Sequence, residues 1–289
     1  MPSEFKELHP RQGPRLFSFG FFPALCLLVA LSVLSCASRP SPAVPEELPA
    51  IPEKPPVEEA ETGPVEEPET GPPAAGAAWS AGLLLAFDDK FTEAWESYFD
   101  LFDRYAARVT FFITGGYDPF CADAEERGHE IGYHTRRHLN LLKVSPEVFF
   151  EETGGGAEAL RRQGLRLKSF AYPYGYSEPW MDETLGEHFS VLRGFGVTTR
   201  IYNVDTIRAK IVVSKSIDNI RYKSDAEFEK DIADMLGAIA SGGGILPLTT
   251  HTIAADADWG ISPARLEYLL KTAVELGLRF YRYGDFFED

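Results

Sequence analysis

The chain has 289 residues, a formal net charge of −16 and a hydrophobic content of 44%. This acidity argues against a nucleic-acid partner, because neutralising phosphates requires clustered Lys and Arg and no segment is strongly basic. The three cysteines, Cys26, Cys36 and Cys121, lie far apart, and only Cys121 falls in the part expected to fold. An intradomain disulfide is therefore excluded, and Cys121 is expected to be a small buried apolar residue.

The N-terminus has the pattern of an export signal. Three basic residues precede an apolar run over residues 16–35, which predicts a signal peptide or, as the alternative, an uncleaved membrane anchor. The run ends in Val33-Leu34-Ser35-Cys36 and resembles a bacterial lipobox, which implies cleavage before Cys36 and lipidation of its thiol. We expect an exported lipoprotein, anchored to a membrane of the cell envelope and facing the periplasm or the exterior. Simple secretion is the third reading.

Residues 36–79 have the composition of a linker. Residues 37–79 hold 11 of the 21 prolines and 9 glutamates against two basic residues, and ETGP occurs twice. Proline stiffens the chain and glutamate repulsion extends it, so we expect this segment to be disordered and to provide reach. The catalytic domain is predicted over residues 80–289.

From residue 80 onward, short apolar runs alternate with segments of helical period. One helix is expected over Phe91–Tyr105, with Trp95, Phe99, Phe102 and Ala106 on one stripe, and three others begin at Ser145, Ser224 and Ser262. This α/β alternation predicts a mostly parallel sheet, closed or half-closed into a barrel, with the site at the carboxyl ends of its strands. Strands are expected over Leu83–Phe87, Arg108–Thr114, Ile131–His134, Ser169–Tyr172, Ile211–Val213, Ile245–Thr249 and Leu278–Tyr281.

Two clusters suggest a metal site. Asp88 and Asp89 follow an apolar strand, so one carboxylate can bind a cation while the other accepts a proton, although such a pair also serves as a helix cap. His134 and His138 have the spacing of two imidazoles on one face of a helical turn, which can bind one metal ion, or they are two surface residues. His129 falls at the start of its strand, away from the carboxyl end, and is given no role.

Two further clusters follow later strands. Phe170-Ala171-Tyr172-Pro173-Tyr174-Gly175 forms a proline-fixed turn that either presents a backbone N–H to an oxyanion or packs its rings on the barrel. Leu246-Pro247-Leu248-Thr249-Thr250-His251 places His251 at a strand exit, where a histidine is usually structural.

In this order, the motifs AFDD, GHEIGYHTRRH, FAYPYG and LPLTTH resemble those of the family 4 carbohydrate esterases, the NodB-homology polysaccharide deacetylases. The resemblance implies a distorted, partly open (β/α) barrel and hydrolysis of N-acetyl groups, or O-acetyl groups, of a polysaccharide. It assigns Asp88 as general base and His251 as general acid, and places the Tyr174 N–H in the oxyanion hole. Thr135 is implied to hold the metal-binding loop by hydrogen bonding. The implied ligands of one divalent ion, expected to be Zn²⁺, are Asp89, His134 and His138.

Two departures from the family pattern stand out. Ala171 occupies the place of an arginine that orients the base, so Arg208, Lys215 and Arg221 are candidates to supply that charge. No counterpart of the family's Asp-Trp motif is evident. The expected substrate contacts are Pro173, Trp180 and Trp259, with burial in the barrel wall as the alternative for the two tryptophans.

Two other functions are compatible with this pattern: an inactive, envelope-anchored glycan-binding lipoprotein, and a metal-dependent amidase acting on a non-sugar substrate. The glycan, the choice between N- and O-deacetylation, the membrane and the oligomeric state are left open.

Overall fold

The computed structural model describes residues 78–209 and 211–287. The predicted signal peptide, Cys36 and nearly all of the linker lie outside these residues, so those expectations stay predictions. Trp79 already packs on the domain, with its ring stacked 4.4 Å from that of Phe286. Within the described ranges, no helix combines the length and the apolar character needed to cross a membrane.

The described chain alternates strands and helices. The strands are β1 Gly82–Asp89, β2 Thr110–Ile113, β3 Glu130–Tyr133, β4 Ser169–Ala171, β5 Val191–Gly196, β6 Ile211–Ser216, β7 Ile245–Thr250, β8 Thr252–Ile253, β9 Gly260–Ile261 and β10 Arg279–Tyr281. The α-helices are α1 Thr92–Glu96, α2 Phe99–Arg104, α3 Phe120–Glu126, α4 Pro146–Phe150, α5 Gly156–Arg161, α6 Pro179–Gly186, α7 Val204–Arg208, α8 Asp225–Gly242 and α9 Pro263–Glu275. A π-helix spans Glu151–Gly155. Short 3-10 helices span Leu141–Lys143, Pro173–Gly175, Asn219–Arg221 and Tyr283–Phe286.

Strands β1 to β7 form a parallel barrel that confirms the predicted fold. Each strand pairs with the next along the chain, and pairing of β1 with β7 closes the ring. β10 pairs with the N-terminal part of β1, where Gly82 lies opposite Arg279. The pairing of β3 with β4 is short and has a single register pair, Tyr133 and Phe170.

The side chains of β1 point alternately toward the helices and into the barrel, and Asp88 points into the barrel. Leu83, Leu85 and Phe87 belong to the larger cluster, which packs against the helices, whereas Leu84 and Ala86 belong to a smaller cluster inside the barrel. Because side chains alternate between the two faces of a strand, Asp88 continues the inward series of Leu84 and Ala86. A carboxylate is thereby buried at the carboxyl end of β1, with 3% of its surface exposed.

The helix expected over Phe91–Tyr105 is instead two short helices, α1 and α2. The Ser97 hydroxyl donates to the carbonyl of Glu93 at 2.8 Å, a local side-chain bond of the kind that competes with helix continuation. Trp95 is buried as expected, but Ala106 lies beyond α2 with a φ of 46°.

The helix starts predicted at three serines are confirmed. The side chains of Ser145, Ser224 and Ser262 each accept a hydrogen bond from a backbone N–H in the first turn of α4, α8 and α9. These caps satisfy N–H groups that have no partner within their own helix.

Strand β5 was not among the predicted strands. Its sequence, VLRGFG, contains an arginine and two glycines, which interrupt the apolar run that marks a buried strand. The arginine, Arg193, is nevertheless fully buried inside the barrel.

Candidate active site

The carboxyl ends of the barrel strands bring together the residues expected to carry chemistry. Asp88 and Asp89 end β1, His134 follows β3, Tyr174 follows β4 and His251 follows β7. The imidazoles of His134 and His251 are both close enough to the carboxylate of Asp88 to affect its pKa. Residues far apart in sequence therefore form one cluster.

Asp89, His134 and His138 form a compact set of donor atoms. One ligand atom from each lies within 4.8 Å of the others, and Asp89 Oδ1 is 3.3 Å from His138 Nε2 and 3.6 Å from His134 Nε2. Asp89 Oδ1 is buried and has no hydrogen-bond partner, and burial raises the pKa of this carboxyl. Because a buried carboxylate oxygen needs positive charge, the set fits a divalent cation.

The hydrogen bond made by His134 fixes which nitrogen faces that set. Its Nδ1 lies 2.8 Å from the carbonyl oxygen of Ala171, and a carbonyl only accepts, so Nδ1 carries the proton. Burial lowers the pKa of His134 to about 3, which keeps the ring neutral. The lone pair on Nε2 is therefore directed toward Asp89, as in metal-binding histidines whose other nitrogen donates to a carbonyl.

The segment from His134 to His138 is a loop, so the predicted helical turn is wrong. Thr135 has a φ of 69° and His138 a φ of 54°, values that an α-helix does not contain. The backbone N–H of His138 donates to the hydroxyl of Thr135 at 3.1 Å, the loop-holding bond expected of Thr135. The left-handed turns, rather than helical periodicity, bring the imidazole rings to a centroid distance of 4.9 Å.

Arg193 binds Asp88 and was missed by the sequence reasoning. Its Nη2 lies 2.6 Å from both carboxylate oxygens, and its guanidinium carbon is 5.0 Å from the centre of the Phe112 ring. Burial alone raises the pKa of Asp88, but the charge of Arg193, with that of His251, outweighs the effect of burial and holds the pKa below its ordinary value. Asp88 is therefore ionised and able to accept a proton.

None of the three cations suggested by the sequence occupies this place, which corrects that prediction. Arg208 donates to the carbonyl of Phe286, Lys215 pairs with Asp231 at 2.6 Å, and Arg221 donates to Ser216. Arg193 is instead the register partner of Ala171 across β4 and β5. Its guanidinium thus comes from the strand next to the one that carries Ala171.

His251 has an acidic partner, Asp218, which the sequence reasoning also missed. His251 Nδ1 lies 2.9 Å from Asp218 Oδ1, and Asp218 is fully buried. Hydroxyls of Thr250 and Ser216 donate to the two oxygens of Asp218 at 2.9 and 2.7 Å. Burial lowers the pKa of His251, but the hydrogen bond and charge of Asp218, together with Asp88 and Asp89, raise it above its ordinary value. The protonated imidazole is thereby favoured.

Trp259 lies beside His251, with ring centroids 5.7 Å apart, and 47% of its surface is exposed. Asp218 and Trp259 thus provide an aspartate and a tryptophan beside His251, although the two residues are not adjacent in the sequence and form no contiguous motif. The position of Asp218 just after β6, at a carboxyl end, was the available signal. Trp180 is also exposed, at the start of α6, and its ring lies 4.8 Å from that of Phe149.

Tyr174 stands in the left-handed region, with a φ of 62°, and its ring lies 4.9 Å from that of His138. No hydrogen bond within residues 78–209 and 211–287 engages its backbone N–H. Pro173 is buried and begins the 3-10 turn, so its ring shapes the turn rather than the exposed surface. The turn thus leaves one backbone donor available at the edge of the cluster.

His129 and Cys121 lie away from this cluster. His129 is buried below β3, where its Nδ1 accepts the N–H of Val109 at 3.2 Å. Cys121 is buried in α3, and burial raises the pKa of its thiol to about 11. Both match the structural roles expected of them.

Residues 80–188 match the family model described as polysaccharide deacetylase. This segment of the chain matches a polysaccharide deacetylase domain. The domain is therefore a hydrolase of the deacetylase class. The matched segment contains Asp88, Asp89, His134, His138 and Tyr174, and the geometry above adds Arg193, Asp218 and His251 from beyond it.

Two solved structures share the fold. A mutant form of the peptidoglycan deacetylase PdaC from Bacillus subtilis has 12% sequence identity and a TM-score of 0.51, over 72% of this chain and 90% of that one. The chitin deacetylase from the fungal pathogen Colletotrichum lindemuthianum has 18% identity and a TM-score of 0.51, over 78% of this chain and 94% of that one. A comparison with curated proteins found no match. At these identities the likeness establishes the barrel fold and leaves the substrate to chemical argument.

Proposed function

We propose that the domain removes N-acetyl groups from a cell-envelope or extracellular polysaccharide with one divalent ion, Asp88 as general base and His251 as general acid. The observation that carries this proposal is the pairing of two opposite protonation states in one cluster. Arg193 lowers the pKa of Asp88, whereas Asp218 raises that of His251. An ionised carboxylate and a protonated imidazole are the pair that hydrolysis of an amide requires.

The proposed ion is zinc, held by Asp89, His134 and His138. Neutral imidazoles and a carboxylate suit zinc, and three protein ligands leave coordination positions open. The chemistry that zinc supplies in such a site is polarisation of a carbonyl and a lowered pKa of water. The unpartnered, buried Oδ1 of Asp89 is the feature that supports a cation there.

The protein side chains then divide the proton transfers between them. Asp88 accepts a proton from a water molecule while the oxygen of that water forms a bond to the acetamide carbon. Charge develops on the carbonyl oxygen, toward which the backbone N–H of Tyr174 can donate. His251 gives its proton to the nitrogen as the carbon–nitrogen bond breaks. The products are acetate and a free amino sugar, or an alcohol if the substrate is an O-acetyl ester.

Exposed rings around the cluster support a sugar substrate. The rings of Tyr174 and Trp259 lie against His138 and His251, and Trp180 is exposed at the start of α6. Aromatic faces pack against apolar surface while leaving a polar edge for hydrogen bonds. We propose that Tyr174, Trp180 and Trp259 contact sugar rings of the polymer, while Pro173 acts by fixing the turn beneath Tyr174.

The experiment is acetate release from peptidoglycan, chitin oligomers, poly-N-acetylglucosamine and acetylated xylan. Asp88→Asn and His251→Ala are each expected to keep the metal and the fold but to lose about 10²- to 10⁴-fold in turnover. Asp100→Asn and His188→Ala make the same chemical changes at exposed residues outside the cluster and should keep wild-type turnover. Near-wild-type turnover of Asp88→Asn on every glycan that the parent cleaves would contradict the mechanism.

The same screen, extended to small acetamides, formamides and ureides, separates the other two functions. A glycan-binding lipoprotein would bind one of these polymers and release no acetate from any of them. An amidase of another class would be inactive on the glycans but would cleave small acetamides, formamides or ureides, and its activity would still fall in Asp88→Asn.

We further propose that the domain acts at the cell envelope, tethered through a lipid on Cys36 and a linker over residues 36–79. The lipobox-like ending of the apolar run and the proline- and glutamate-rich composition that follows it support this location.

A further inference from the structure

A π-helix lies directly against the loop that carries the two histidines. It spans Glu151–Gly155, between α4 and α5. Helices of this kind are rare, mostly form single turns and are frequent at functional sites. Glu152, within it, is fully buried and has no part in the proton transfers proposed above.

Glu152 holds the backbone between His134 and His138. Its Oε2 accepts the backbone N–H of Arg137 at 2.8 Å, and its Oε1 accepts the Nε–H of the same residue. Its backbone carbonyl accepts the N–H of Arg136 at 3.1 Å. One residue therefore accepts the backbone N–H groups of both residues that lie between Thr135 and His138, namely Arg136 and Arg137.

Strand β3 anchors the π-helix itself. The Tyr133 hydroxyl donates to the carbonyl of Glu152 at 2.9 Å. At Gly156, where α5 begins, an added Cβ would lie 1.8 Å from that hydroxyl, so only glycine permits this close approach. Glu152 thus links the end of β3 to the histidine loop through a rigid contact.

The loop needs such support because its backbone is strained. Thr135 and His138 both have positive φ values, and each such residue costs on the order of 1 kcal/mol or more unless the surroundings hold it. Without the two acceptors from Glu152, relaxation toward ordinary φ values would move the His138 ring away from Asp89.

We propose that Glu152 is a positioning residue for the metal site, which sets the affinity for the ion by holding His138 in place. This inference rests on the metal site of the proposed function. Glutamate is required because both oxygens accept hydrogen bonds. Glutamine at this position would turn one NH₂ group toward an N–H donor of Arg137. Partners that orient metal ligands typically change affinity by about 10- to 100-fold when they are removed.

The test compares Glu152→Gln with Glu151→Gln. Glu151 is about half exposed and pairs with the side chains of Arg136 and Arg137, but its carboxylate accepts no backbone N–H of the loop. Both variants lose one negative charge beside Arg137, but only Glu152→Gln disturbs the hold on the loop backbone, and the melting of the metal-free proteins reports the cost of changing a buried residue. Zn²⁺ affinity of the metal-free proteins is measured by competition with a chromophoric chelator, and melting is followed without metal.

We expect Glu152→Gln to bind Zn²⁺ about 10- to 100-fold more weakly and Glu151→Gln to bind it as the wild type does. Excess Zn²⁺ should restore most of the acetate release of Glu152→Gln, which a general loss of stability would not explain. Equal affinities of Glu152→Gln and wild type would overturn the inference. If wild type itself binds no Zn²⁺, and His134→Ala with His138→Ala changes nothing, the proposed metal site fails instead.

Tyr133→Phe decides the matter if Glu152→Gln does not fold. It removes only the hydroxyl that anchors the π-helix, so we expect a smaller but measurable loss of Zn²⁺ affinity with the fold retained. Wild-type affinity in a folded Tyr133→Phe, together with an unfolded Glu152→Gln, would show that Glu152 serves the fold rather than the metal site.

Discussion

Arg193→Gln tests the buried ion pair beneath the proposed base. Arg193 is fully buried and Asp88 is 3% exposed, so removing the guanidinium leaves a carboxylate without its main countercharge. Breaking one partner of a buried ion pair typically costs about 3–5 kcal/mol, a large part of the about 5–15 kcal/mol that stabilises a domain. We expect a folded but weakened protein with strongly reduced acetate release.

The sign of the pH dependence follows from the pKa of Asp88. In wild type the folded-state pKa lies below its ordinary value, so the ion pair stabilises above the unfolded-state pKa and this contribution is lost as pH falls through the folded-state pKa. In Arg193→Gln the guanidinium charge no longer opposes the effect of burial, so burial raises the pKa of Asp88. The difference in stability between the two proteins should therefore widen as pH rises from the wild-type folded-state pKa, below about 4, toward neutrality, and the acid limb of acetate release should move to higher pH.

Urea unfolding of the metal-free proteins measures the effect, and a double-mutant cycle with Asp88→Asn isolates the pair. Arg193→Gln should cost at least about 2 kcal/mol less in the Asp88→Asn background. Arg162→Gln, which breaks an exposed pair with Glu158, should change stability by less than about 0.5 kcal/mol. A coupling between Asp88 and Arg193 no larger than that of the exposed pair would refute the reasoning.

Four other outcomes follow from the sequence and the structure. Burial lowers the folded-state pKa of His129 to about 3, so the unfolded state binds the extra proton, and this residue alone should contribute a loss of about 2 kcal/mol between pH 7 and pH 5 in urea titrations; His129→Gln should remove that part of the loss. Asp218→Asn should lower the pKa of His251, seen as a basic limb of acetate release that moves to lower pH, and an unmoved limb would contradict the pairing. Ala106→Gly, at a φ of 46° outside the site, should raise the free energy of unfolding by about 1 kcal/mol with acetate release unchanged. Cys36→Ala should abolish incorporation of labelled fatty acid, and equal labelling of both proteins would favour an uncleaved anchor.

Much of the barrel could be predicted because its strands are continuous apolar runs. β1 reads GLLLAFDD and is buried along nearly its whole length, so composition alone marks both the strand and the acidic residues at its end. β5 could not be predicted in this way, because the buried Arg193 breaks the apolar pattern and its partner, Asp88, lies 105 residues earlier. The charge pair that makes the arginine acceptable in the core is visible only after the sheet has closed.

The candidate site shows the same limit on a smaller scale. The motifs located Asp88, Asp89, His134, His138 and His251, since each lies at the carboxyl end of a strand or soon after it. They could not locate the residues that orient them, because those residues come from neighbouring strands and loops. Asp218 reaches His251 from the end of β6, and Glu152 reaches the histidine loop from a π-helix that periodicity does not indicate.

Backbone strain explains why the geometry of this site was the least predictable part of the chain. Among the described residues, the non-glycine positions with positive φ are Asp89, Ala106, Thr135, His138 and Tyr174. Four of these five lie in the cluster, although local preference disfavours this conformation for all of them. The histidine loop that contains Thr135 and His138 is held by a contact that local sequence does not encode, the bond from Arg137 N–H to Glu152. The barrel thus stabilises conformations that turn ligands and donors toward one point, and relieving them should make the protein more stable but a poorer catalyst.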